Sequence, residues 1–304
     1  MLDGMTRRGF LAAAVGSTVA AAANPAGAMS PIERAAEPRL KLSLVAFSMR
    51  RYLTAEPGER GAMDLFGFVD WASQLGFDGV ELTSYYWPEQ VEPAYVHGLK
   101  RHCHVEGMPI SAGGIRNNLT FSPGSVEAAE DLAHIERWAR HYQRIGTAPI
   151  RIFPGTPRGE MRQAPEEQTL WNIIENLRRA GAIGERNGVI MAIENHGYLR
   201  QQHRLERVIE AIDSPWVGLT LDSDNWDEPN PYEQFERFAP YAVNVHIKTE
   251  ITPLGQESQR ADLPRLFQAL KDGGYRGFVG LEYEEDEEPY ERIPQTYEQL
   301  RSST

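Results

Sequence analysis

Four short apolar runs in the second half of the chain each end on a side chain able to hold a metal or move a proton. Val189-Ile190-Met191-Ala192-Ile193 runs into Glu194, Asn195 and His196 before Gly197 stops it. Downstream, Val217–Leu221 ends on Asp222, Ala242–Val245 on His246 and Gly277–Leu281 on Glu282. An apolar run that closes on a polar residue is how a strand buried on both faces ends when its tip carries chemistry. Three carboxylates and one imidazole make an oxygen-rich donor set with a single nitrogen. Such a set suits Mn²⁺, Mg²⁺, Co²⁺ or Zn²⁺ and argues against copper or an iron–sulfur cluster. One divalent ion held by Glu194, Asp222, His246 and Glu282 is therefore expected.

Side chains alternate along a strand, which puts His196 on the face of Glu194 and Lys248 on the face of His246. Both are expected at the same mouth. His196 is read as a substrate contact or acid catalyst, with a structural hydrogen bond as the alternative. Lys248 is read as neutralising an anionic or enolate oxygen, or as pairing with a site carboxylate.

Strand tips converge only if a fold brings them together. The pattern predicts strands at 42–48, 79–82, 109–112, 148–153, 189–194, 216–222, 242–247 and 277–282. Helices are predicted at 64–75, 95–106, 126–145, 167–186, 205–212, 232–238, 263–271 and 290–300, with Asn187-Gly188 and Gly273-Gly274 as stops. Eight strand–helix pairs are what a single α/β (β/α)₈ TIM barrel requires, here over residues 42–304. The segments after strands (84–93, 116–124, 154–166, 223–231, 248–262) are longer than those before them, and in this fold they build the active-site face. The acid run Glu284–Glu288 reads as a solvated loop.

At 304 residues and 41% hydrophobic, the chain can bury one large core. Its net charge of -12 disfavours a nucleic-acid partner, because phosphate binding needs a basic face. The single cysteine, Cys103, excludes an internal disulfide and reads as a small buried residue on a helix. Thr6-Arg7-Arg8-Gly9-Phe10-Leu11, then an Ala-rich run and Ala26-Gly27-Ala28, has the zones of a twin-arginine export signal over residues 1–28. Residues 29–41 read as a polar linker. The expectation is a periplasmic or exported protein with no stable membrane span after processing; a homo-oligomer is left open.

Within Ile193-Glu194-Asn195-His196-Gly197, Leu221-Asp222, Val245-His246-Ile247-Lys248 and Leu281-Glu282-Tyr283, the order Glu, Asp, His, Glu on strands 5 to 8 resembles the xylose isomerase-like TIM barrels. That group includes the sugar-phosphate isomerases/epimerases and the ketose 3-epimerases, and Phe77–Leu82 at strand 2 also fits it. The resemblance implies that the four residues bind one divalent ion and that Glu194 and Glu282 are proton-transfer groups on opposite sides of a substrate carbon. It departs at two places: Asn225 stands where many epimerases have a His, and Thr252 where some ketose 3-epimerases have an Arg.

The implied reaction removes a proton next to a carbonyl and stabilises the resulting enediolate with the cation, as in a sugar isomerase or epimerase. The alternative is a lyase or hydratase on a keto-sugar or keto-glycoside, in which the same enolate expels a substituent. The partner is a small-molecule carbohydrate. Around the metal, Glu81, Trp87, Arg116, Arg151, Asn225 and Trp226 are expected to contact substrate. Trp87, with Tyr85 and Tyr86, and Trp226 would offer stacking faces or pack their loops, and Glu81 would orient a neighbour if it does not touch substrate.

Overall fold

The computed structural model describes residues 27–55 and 58–304, and the proposed export signal lies outside them except for Gly27 and Ala28. Eight parallel strands close into a barrel: β1 (Leu40–Val45), β2 (Gly79–Thr83), β3 (Ile110–Gly114), β4 (Pro149–Ile152), β5 (Ile190–Glu194), β6 (Val217–Asp222), β7 (Ala242–Ile247) and β8 (Gly277–Leu281). Each strand pairs with the next in sequence, and β8 closes onto β1, with Leu40 opposite Gly277 and Leu44 opposite Leu281. The outer layer consists of α1 (Leu65–Leu75), α2 (Pro93–Val105), α3 (Val126–Ile145), α4 (Glu166–Asn187), α5 (Gln202–Ala211), α6 (Pro231–Phe238), α7 (Leu263–Asp272) and α8 (Pro289–Ser303). Single-domain barrel architecture is thus as the sequence predicts, with α3 and β7 falling on the expected residues.

Local chemistry sets the ends. Asp64 caps α1 by accepting the Gly67 amide, and Ser125 caps α3 by accepting the Ala128 amide. Gly76, Gly146 and Gly188 stop α1, α3 and α4 in left-handed geometry. Along the strands, buried apolar residues such as Leu42, Leu44, Ile150, Ile152, Leu219, Leu221, Val279 and Leu281 alternate with buried polar ones: Ser43, Glu81, Ser111, Arg151, Glu194, Asp222, Asn244 and His246. Period-2 alternation assigns the apolar set to the helix layer and the polar set to the barrel interior. The interior is therefore a ladder of polar groups inside an apolar shell.

Two features differ from the sequence reading. Residues 29–39 are not a free tether: they strap the barrel end opposite the mouth. The Met29 amide donates to Ile209 O at 2.8 Å, the Ile32 amide to Pro240 O at 2.9 Å, and Arg34 Nη2 to Ala242 O at 2.7 Å. These acceptors lie at or before strand starts or late in a helix, where backbone carbonyls need partners. The loop after β7 contains a small antiparallel hairpin, Glu250–Ile251 with Gln259–Arg260, whose two-residue strands are too short to leave a periodic signal. Among the described residues, no helix is long and apolar enough to cross a membrane.

Candidate active site

The mouth at the C-terminal ends of the strands is a cavity of about 320 Å³, lined in part by Phe47, Tyr85, Phe153, His196, Arg200 and Lys248. At its floor, Glu194, Asp222, His246 and Glu282 present one ligand atom each, all within 4.8 Å of one another and all buried. Strand register explains the convergence, because Asp222 is level with His246 and Glu194 with the Thr220 that precedes Asp222 by two residues. After Glu194 the chain must turn sharply. Gly197 sits at φ 50°, and a Cβ there would lie 2.6 Å from Gly155 O, so the turn admits only glycine without rearrangement.

His246 is fixed from behind. Glu81 Oε2 lies 2.8 Å from His246 Nε2 and also accepts from Asn244 Nδ2 at 3.1 Å. A carboxylate at Nε2 leaves Nδ1 facing the ligand cluster, 3.2 Å from Glu194 Oε1 and 3.8 Å from Glu282 Oε2. Glu81 is fully buried, and its Oε2 orients His246. Asp222 Oδ1 accepts the Asp224 amide at 2.8 Å and the Asn225 amide at 3.1 Å, while its buried Oδ2 makes no hydrogen bond among the described residues and lies 3.3 Å from Lys248 Nζ. Three carboxylates and an imidazole nitrogen converging on one buried point are a donor set that a divalent cation satisfies, so these residues fit one.

The charges around the cluster are unequal. Burial raises Glu194, but Arg151 and His246 outweigh it and hold the carboxyl down at about 2. At Glu282 burial prevails over His246 and Lys248, pushing the carboxyl up to about 8. Burial lowers His246, yet Glu81, Glu282 and Glu194 raise it well above the usual imidazole range. Lys248 Nζ lies 3.3 Å from Asp222 Oδ2, 3.8 Å from Glu282 Oε2 and 3.5 Å from Glu284 Oε2, and these carboxylates keep it charged against burial. His196 lies at the mouth with its ring centroid 4.5 Å from that of Phe153; burial, opposed by Glu194 and assisted by Arg151, lowers its pKa.

The remaining expected residues divide. Arg151 is inside: its guanidinium stacks over Phe153 at 3.9 Å, donates to Tyr85 Oη at 3.1 and 3.2 Å, and has Nε 4.0 Å from Glu194 Oε1. Asn225 is also inside, its Oδ1 accepting from Arg200 Nη1 at 3.2 Å and 3.5 Å from Lys248 Nζ. Arg116 is exposed, with its guanidinium 3.9 Å from the centroid of the Tyr85 ring. Trp226 and Trp87 are not stacking platforms. Trp226 is 1% exposed and stacked on Phe238, and Trp87 is 7% exposed among Tyr95, Trp138 and Tyr142. The apolar area of an indole favours burial against the helix layer over a water-filled mouth.

Phe47, Phe153 and Arg200 line the mouth without having been singled out from the sequence, and Glu284, read there as part of a solvated acid run, lines it too and pairs with Lys248. Phe47 and Phe153 closely follow strands β1 and β4, which was the available signal. Arg200 and Glu284 sit on loops where spacing carries none. Cys103 is buried, as expected, and burial pushes its thiol up to about 12.

Residues 69–303 match the family described as xylose isomerase-like TIM barrel, and the chain belongs to that family. A Homo sapiens protein provisionally named hydroxypyruvate isomerase is 24% identical over 229 residues, covering 70% of this chain and 81% of that protein. Among solved structures, D-psicose 3-epimerase from Clostridium cellulolyticum H10, with D-tagatose, superposes with a TM-score of 0.70 at 16% identity, covering 86% of this chain and 99% of its own. The IOLI protein, solved with a zinc atom, has a TM-score of 0.70 at 17% identity, covering 86% of this chain and 96% of its own. At such identities these structures speak for the fold.

Proposed function

We propose that this protein is a divalent-metal-dependent isomerase or epimerase of an unphosphorylated sugar or keto-sugar. The observation that carries the reading is the convergence of Glu194, Asp222, His246 and Glu282 on one buried point. A divalent ion held there supplies the positive charge that stabilises an oxyanion developing beside the carbon being deprotonated. The family relatives and the zinc-bearing neighbour support the same direction.

The chain's own groups then divide the work. Glu194, kept ionised by Arg151, accepts the proton from the carbon next to the carbonyl. Glu282, just past β8, faces the cluster and returns a proton from the opposite side. Lys248 holds positive charge against Asp222, Glu282 and Glu284, and His196 hydrogen-bonds a substrate hydroxyl. Phe47, Tyr85 and Phe153 offer apolar faces to the C–H face of a sugar ring.

A lyase or hydratase outcome is kept open by one observation. Thr252, at the position where some ketose 3-epimerases carry Arg, is exposed on the hairpin, with its amide on Asp224 Oδ1. The test is NMR in heavy water with metal-loaded enzyme and a panel of keto-sugars, aldoses and keto-glycosides. Exchange of one carbon-bound hydrogen with a retained skeleton supports isomerase or epimerase, and loss of a substituent supports lyase. A substrate that turns over with neither exchange nor a primary isotope effect overturns the proton-abstraction reading.

Arg7-Arg8 supports a second reading, export by the twin-arginine route. Replacing both with Lys should abolish the periplasmic pool, and an unchanged pool would overturn it.

A further inference from the structure

Where the strands of the barrel end, the main-chain ladder stops, and the ligands sit on those last rungs. Three fully buried polar side chains carry the ladder further at these points. Asn195, just past β5, holds the backbone of Asp222 from both sides: its Oδ1 accepts the Asp222 amide at 2.7 Å, and its Nδ2 donates to Asp222 O at 3.0 Å and Asn225 O at 3.2 Å. Ser223, just past β6, donates its amide to His246 O at 3.1 Å and accepts the Lys248 amide on Oγ at 2.9 Å. Ser48, past β1, brackets Glu282, because its Oγ donates to Leu281 O at 2.9 Å and accepts the Tyr283 amide at 2.9 Å.

We propose that Asn195, Ser223 and Ser48 are positioning residues that set the ligand geometry of Asp222, His246 and Glu282, each acting from the strand beside the ligand's own. This rests on the metal reading above. A ligand atom must be held within a few tenths of an ångström of its productive place, and a backbone free to pivot at a strand tip does not hold it. Asn195 is the strongest of the three, since one carboxamide fixes both polar main-chain groups of Asp222. With Asp222 Oδ1 also occupied by two amides, that side chain has a single oxygen left to offer, and its direction follows the backbone that Asn195 fixes.

The molecule supplies its own control. Asn117, past β3, makes the same kind of clamp on Phe153, accepting its amide at 2.8 Å and donating to its carbonyl at 2.7 Å, but Phe153 is no ligand. If such clamps serve stability alone, Asn195 and Asn117 are equivalent.

The experiment uses Co²⁺, whose visible absorption reports ligand number and symmetry. In the full protein stripped of metal and titrated with Co²⁺, Asn195→Asp should weaken binding by roughly 10–100-fold and change the absorption band. Ser48→Ala should shift the band with a smaller loss, up to about tenfold, and Ser223→Ala, which keeps the main-chain bond to His246 O and removes only the acceptor of the Lys248 amide, should shift it less. Asn117→Asp should lower Tm and leave both affinity and band as in the wild type. If Asn195→Asp does not fold, Ser48→Ala, the loss of one oxygen that bonds on both sides of Glu282, carries the test. Variants that lose stability yet bind Co²⁺ with wild-type affinity and spectrum overturn the inference while leaving the metal site standing. A wild-type protein that binds no Co²⁺ overturns the metal reading and this inference with it.

Discussion

The β4–β5 wall of the mouth and the β8 wall each present a buried glutamate to the same point, and the protein treats them oppositely. On the first wall, Arg151 approaches Glu194 at 4.0 Å and, with His246, overrides the burial penalty. On the second, Glu282 has Lys248 at 3.8 Å, but Lys248 is shared with Asp222 and Glu284, and burial wins. Without a bound ion, one residue type in one cluster is thereby driven in opposite directions, Glu194 down and Glu282 up. Environments that drive two acids apart are how a fold assigns base and acid roles.

The sharpest break of this comparison is Glu194→Gln, which should reduce solvent deuterium exchange by roughly 10²–10⁴-fold, the usual worth of a positioned base. Glutamine still offers a carbonyl oxygen, so part of the metal affinity should survive. Exchange at wild-type rate would remove Glu194 from the base role.

His246→Ala acts on both walls at once, because the imidazole faces both glutamates. In chelator-treated wild type, adding Mn²⁺ or Co²⁺ at about 100 times its Kd should stabilise the fold by about 2.7 kcal/mol. The variant should show little of that gain in thermal unfolding at the same concentration, and an equal gain would argue against the ligand set.

The third test concerns the β8 wall in metal-free protein. Because the folded state raises Glu282 above its unfolded value of 4.5, this group's contribution to stability is complete below that value and is lost as pH rises through about 8. Metal-free Glu282→Gln should therefore unfold at higher temperature than metal-free wild type at pH 9, by about 5 °C. The difference should shrink toward zero by pH 4. A variant less stable than wild type at pH 9 would show that burial does not dominate there.

The smallest expected effect sharpens the β4–β5 wall. Arg151→Gln removes the cation that holds Glu194 down, and the acidic limb of the exchange-versus-pH profile should move up by about 1–3 units. A limb that stays in place would assign it to another group.

Much of this protein is legible in its sequence, and the legible part has a common cause. Apolar runs of strand length, helices with Asp64 and Ser125 as caps and Gly76, Gly146 and Gly188 as stops, and ligands at strand tips all follow from local periodicity and backbone chemistry. Strand order alone places Glu194, Asp222, His246 and Glu282 on adjacent tips, because a parallel barrel sends every strand toward the same mouth. What periodicity does not carry is which way a loop side chain turns once the layers pack. Trp87 and Trp226 stand on loops that rim an active site, yet both fold back into the helix layer, where a large ring loses more water contact. Arg200 reaches the mouth from a loop without a sequence signal, and Glu284 reaches it from an acid run that reads as solvated. Residues 29–39, polar in sequence, become a strap because the far end of the barrel exposes carbonyls that a passing backbone and Arg34 can satisfy. The opposite fates of Glu194 and Glu282 are likewise tertiary, since they depend on Arg151 from β4 and Lys248 from beyond β7, and electrostatic strength inside a protein is set by distance and burial rather than by residue type.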